Sequence, residues 1–164
     1  MRYYVGVAIG AFAFGACGAA VIETPPPMPR KVLATNESTL KEIATDFVKD
    51  CYRYIGKERC ALPYRINLAY FEPEEQPDLR GYAQPWTYRN VVGKVHIGIV
   101  SYLKDNPTSL KVVTYHELFH AYFELDHDDT KLGIMNTYGN ALWDGLIMED
   151  FQHYVAEEFY RVKK

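Results

Sequence analysis

Apolar residues at positions 40, 43, 47, 48, 51 and 52 keep helical spacing, with charged and polar residues filling the intervals. They predict an amphipathic helix of about four turns. Thr39-Leu40-Lys41-Glu42 fits a capping box at its start, and Gly56 supplies a stop. The period then falls to two at Ile66, Leu68 and Tyr70, which predicts a strand ended by Glu72-Pro73. Gly81 to Tyr88 reads as a second short strand, interrupted by Pro85. Val91 to Val100 is the strongest strand, apolar enough to be buried on both faces. Asn106 and Pro107 form a helix start, cap followed by first-turn proline. Leu110, Val113, Leu118, Phe119, Tyr122 and Phe123 then give a helix with broad apolar coverage. A polar loop follows at 126–131, and a last helix from about Met148 to Val162 carries Phe151, Tyr154, Val155 and Phe159 on one face. This order predicts an α+β fold: a small twisted mixed sheet packed against a central helix, an N-terminal helix and a C-terminal helix.

The central helix breaks its apolar coverage at His116, Glu117 and His120. Polar groups buried without partners are costly, so the helix needs a reason to carry them. The segment reads HExxH, and residues four apart share one helix face, so both imidazoles can address one metal ion. Glu117 then stands where a carboxylate can take a proton from a water activated by zinc (Zn2+). His127 and Asp126 follow in the polar loop as candidate third ligands.

The N-terminus changes the picture of location. Arg2 precedes a run without charged residues from Tyr3 to Ile22, and Phe14-Gly15-Ala16-Cys17 is similar to a bacterial lipobox. Three readings of residues 1–22 stay open: a lipoprotein leader lipidated at Cys17, a plain cleaved signal, and an uncleaved membrane anchor. Each places the rest of the chain outside the cytoplasm, as a membrane-anchored lipoprotein (periplasmic or at the cell surface) or as a secreted protein. Residues 23–35, opening with ETPPPMPRK, form a stiff proline-rich tether. Residues 36–164 are enough for one domain. An exported compartment permits a disulfide between Cys51 and Cys60, the alternative being two free thiols. The net charge of −3, with no basic stripe, excludes nucleic acid as a partner.

From His116 to Asn136 the chain resembles the metzincin clan of zinc peptidases, most closely its matrixin branch. It offers His116, Glu117 and His120, then Leu125-Asp126-His127, similar to the LDH that ends many matrixin motifs, then Gly133-Ile134-Met135-Asn136, which resembles the family's Met-turn. The resemblance implies a metzincin-like α+β fold, zinc as cofactor, a protein or peptide substrate, Glu117 as general base and Met135 as a floor beneath the imidazoles. It also implies that Lys94 to Gly98 is the edge strand along the substrate cleft, and it raises Tyr138 as a candidate for the oxyanion. Two positions depart from the family. Phe123 stands where a glycine normally turns the chain out of the helix, and His127 comes one residue late, with Asp126 at the usual spacing. One inserted residue explains both, which favours His127 as third ligand and keeps Asp126 as the alternative. Other candidates have plainer readings. His96 is structural within its strand, His153 lies on a solvated helix face, Glu149 has the wrong spacing for a glutamate ligand, and Asp126, Asp128 and Asp129 form a solvated loop before they form a calcium site. The competing function is an exported non-catalytic module that binds a metal or a partner.

Overall fold

The computed structural model describes residues 32–33, 37–61, 65–74, 79–88, 91–137 and 139–163. Residues 1–22 (the expected leader, with Cys17), most of the proline-rich segment and Tyr138 lie outside them. Strand β1, Val32–Leu33, falls within the segment read as tether and pairs antiparallel with β2, Arg65–Phe71. Helix α1 spans Glu37–Ile55. It begins ahead of the expected capping box, so Thr39 lies inside its first turn. Gly56 ends it with a φ of 87°, a conformation open to glycine at no steric cost.

Strands β3, Gly81–Tyr88, and β4, Val91–Val100, complete a mixed sheet of order β1-β2-β4-β3. β4 pairs parallel with β2 and antiparallel with β3, which corrects the expectation that Lys94 to Gly98 would be an edge. β3 is the edge. This position also explains why Pro85 does not interrupt it: Pro85 pairs with Val95, and an edge strand has only one ladder to complete. The register shift falls later, between Trp86 and Thr87. Ile97, Gly98, Ile99 and Val100 are all buried, so the end of β4 is covered on both faces. A Cβ at Gly98 would run into the Tyr82 ring, which lies over it from β3.

A 3-10 turn, Ser101–Asp105, leads into α2, Pro107–Phe123. Its cap is Asn106, whose side chain accepts from Ser109 N at 3.0 Å. The last helix expected from the sequence, from about Met148 to Val162, is α4, Phe151–Lys163; ahead of it stands a further helix that was not expected, α3, Ala141–Glu149, and the two part at Asp150. α3 has its own cap, since Asn140 accepts from the N–H groups of Leu142 and Trp143.

Aromatic packing places α2 among the other helices. Phe47 of α1 meets Tyr115 and Phe119 of α2 at centroid distances of 5.2 and 5.0 Å, and Phe159 of α4 at 5.4 Å. Tyr115 donates its hydroxyl to buried Asp50 at 2.9 Å, and burial pushes its pKa up. A disulfide joins Cys51 to Cys60 and ties the end of α1 to the following turn. These contacts hold the face of α2 that points away from the cleft, fixing where its histidines stand. Among the described residues no helix is long and apolar enough to cross a membrane.

Candidate metal centre

His116 and His120, one turn apart on α2, are half-buried and each is fixed by its inner ring nitrogen. His116 Nδ1 donates to the carbonyl of Ile134 at 2.7 Å, and His120 Nδ1 donates to that of Leu125 at 2.7 Å. A carbonyl only accepts, so both Nδ1 atoms carry the proton and both neutral rings present a bare Nε2 lone pair. His127 arrives from the loop after α2, and its Nε2 lies 3.1 Å from that of His116 and 3.0 Å from that of His120. The two helical Nε2 atoms are themselves 3.0 Å apart. A proton on His127 can satisfy only one of these contacts; a cation at the centre satisfies all three. Three nitrogens at tetrahedral zinc distances would lie roughly 3.3 Å apart, close to what is seen. The donor set therefore fits a metal ion, and these three histidines lie close enough to hold one.

Electrostatics agree with the geometry. Burial, then the neighbouring His120, lowers the pKa of His116 to about 3. Burial, then His127, lowers that of His120 to about 4, and burial also lowers that of His127. All three stay neutral, the form that binds metal, through the physiological range.

The loop geometry explains the late third histidine. α2 runs to Phe123 without a break, and Glu124 takes the left-handed conformation that ends it, at φ 50° and ψ 34°. The helix-ending turn thus sits one residue beyond Phe123, the position at which the resemblance implies a glycine, and His127 follows by the same margin. Asp126 contributes no atom to the histidine cluster. The other acidic side chains of the loop are used within it. Asp128 accepts from the Thr130 N–H and hydroxyl, and Asp129 accepts from Thr137 N at 2.7 Å. Met135 is fully buried, and its carbonyl accepts from Asp128 N at 2.8 Å, linking the turn to the ligand loop.

Glu117 is buried beside this cluster, and burial pushes its carboxyl pKa up to about 8. Space for it exists because residue 81 is glycine. A Cβ there would come within 2.8 Å of Glu117 Oε1 and 2.9 Å of Val113 Cγ1. His116, Glu117, His120 and His127 all line a cleft of about 870 Å³, walled on one side by residues 79–83, which lead into and begin β3, and on the other by Trp143, Asp144 and Ile147 of α3.

One pair in that cleft escapes sequence reasoning. Arg80, just ahead of β3, binds Asp144 of α3 through both carboxylate oxygens, one contact at 3.4 Å and a shorter one between Nη2 and Oδ2. Asp144 is almost completely buried, so the pair closes the cleft between strand and helix. The only local signal was an acidic residue inside an otherwise apolar stretch. The remaining candidates stand apart from the cluster among the described residues. His96 occupies the β4 ladder opposite Asn67 and Gln84, His153 is exposed 3.8 Å from Glu157, and Glu149 is exposed at the end of α3.

No family model, curated protein or solved structure matches the chain, so the functional reading rests on the sequence and this geometry.

Proposed function

We propose that this protein is an exported zinc-dependent endopeptidase of metzincin type, with Glu117 as its general base. The observation that carries the reading is the convergence of three Nε2 atoms at 3.0–3.1 Å beside a buried carboxylate in an open cleft. Three neutral imidazoles from a short sequence span are a donor set that suits zinc and leaves a fourth position free. A zinc ion held there supplies Lewis acidity for a water and for the scissile carbonyl.

The chain's own residues account for the rest. The carbonyls of Ile134 and Leu125 keep His116 and His120 in the ligating tautomer. Glu117, adjacent to a cation, is favoured in its ionised form, accepts the proton of the attacking water and passes it to the leaving amine. Among the described residues β3 pairs on one side only and offers its other side along the cleft, a backbone ladder suited to an extended peptide. A carboxylate beside the ligands has no use in a closed structural site, which sets this reading above a non-catalytic module. The lipid anchor at Cys17 and the tether belong to the same proposal, as the means of holding the domain at a membrane surface.

The test is metal content together with cleavage of an unfolded protein substrate. The purified chain is expected to hold one zinc ion, to cleave the substrate, to lose both properties to a chelator and to regain both with added zinc. Zinc-loaded protein that cleaves nothing would overturn the peptidase reading in favour of a metal-binding module.

A further inference from the structure

The three ligands are not held alike. His116 and His120 ride on α2 and are each pinned by a backbone carbonyl. His127 is exposed, lies in irregular chain and, among the described residues, makes hydrogen-bond contacts only through Nε2, to the other two histidines. Its ring has no anchor of its own, so its place must be set through the backbone. Arg161 of α4 supplies that restraint: its Nη2 donates to the carbonyl of Asp126 at 3.1 Å, the peptide group that leads directly into His127. Its Nη1 donates to Glu158 at 2.5 Å, and Glu158 is almost fully buried. The other oxygen of Glu158 lies 3.3 Å from where a Cβ on Gly133 would stand, at the turn whose next residue gives Ile134 O to His116. Lys131, between these points, is tied to Glu157 of the same helix at 3.0 Å.

We propose that Arg161 is a positioning residue for the metal centre. Oriented by Glu158, it fixes the Asp126–His127 peptide so that His127 Nε2 meets the other two nitrogens. A guanidinium does this because its planar fork can serve a carboxylate and a carbonyl at once, whereas an ammonium is a single point on a flexible stem. The inference rests on the proposed metal site, and it makes the C-terminal helix part of that site.

Arg161→Ala alone would leave Glu158 buried without a counter-charge, which threatens the fold for unrelated reasons. Two other variants avoid this: Arg161→Lys, which keeps the charge, and the double variant Arg161→Met with Glu158→Gln, which removes both charges. Zinc affinity is measured on the full chain by competition with a chromophoric chelator, beside melting of the metal-free proteins. Both variants are expected to hold zinc about 10- to 100-fold more weakly, with metal-free melting close to wild type. In a His127→Ala background the same changes are expected to cause no further loss. Wild-type affinity in both variants would overturn the proposal. So would an equal loss with and without His127, because Arg161 would then act on general stability. A wild-type chain that takes up no zinc would sink the metal site itself, a different failure from the others.

Discussion

Glu124 is the one non-glycine residue among those described with a positive φ, and it sits where α2 must release the chain toward His127. An L side chain in this region costs about 1 kcal/mol relative to glycine. Glu124→Gly is therefore expected to stabilise the protein by up to about 1 kcal/mol, raising Tm by a few degrees, with zinc affinity unchanged. Thermal melting checks it; a lower Tm would mean that the Glu124 side chain, and not the turn, secures the helix end. The same residue shows what the sequence made legible. His116, Glu117 and His120 can be read from helical spacing alone, because the relation between them is local. The offset at His127 can be read as one extra residue, but which residue turns the chain depends on how far α2 continues. Phe123 stays helical, so the turn passes to its neighbour.

α2 is legible at both the start and the site because Asn106, Pro107 and the apolar run are adjacent signals that agree. α3 is not. Its stretch is short and holds Gly145, and only Asn140 marks its start. The place of β4 in the sheet could not be read either, since strand order β1-β2-β4-β3 departs from chain order and pairing is a long-range property. The contact between β3 and α2 at Glu117, the proposed general base, is equally non-local. Gly81→Ala is expected to leave zinc stoichiometry intact while lowering hydrolysis at least tenfold, because the new Cβ would displace the Glu117 carboxylate against Val113. Steady-state rates on the zinc-loaded variant check this. An unchanged rate would show that the carboxylate does not need its present position.

For the whole molecule, the buried polar cluster makes stability depend on pH when the metal is removed. His116 and His120 have folded pKa values of about 3 and 4, below their ordinary 6.5, so their contribution is present above 6.5 and is lost as pH falls toward those values. Glu117 has a folded value of about 8, above its ordinary 4.5, so its contribution is present below 4.5 and is lost as pH rises toward 8. Between pH 5 and 6 the histidines outnumber the glutamate and stability rises with pH; above about 7 the glutamate alone remains and stability declines. Metal-free protein is thus expected to have its highest Tm near pH 6.5 to 7, seen by melting in chelator from pH 5 to 8. A flat profile would contradict the burial of these groups. The disulfide and the aromatic packing of Phe47 hold the far side of α2 throughout, which lets the metal-free fold persist long enough to be measured. The central claim is that Glu117 moves the proton at a metal held by His116, His120 and His127. It is tested most directly by the rate at which zinc-loaded Glu117→Gln cleaves an unfolded protein substrate. The amide matches the carboxylate in size but cannot accept the proton, so bound zinc is expected to equal wild type while the rate falls at least about 100-fold. Full zinc occupancy with a wild-type rate would contradict the account.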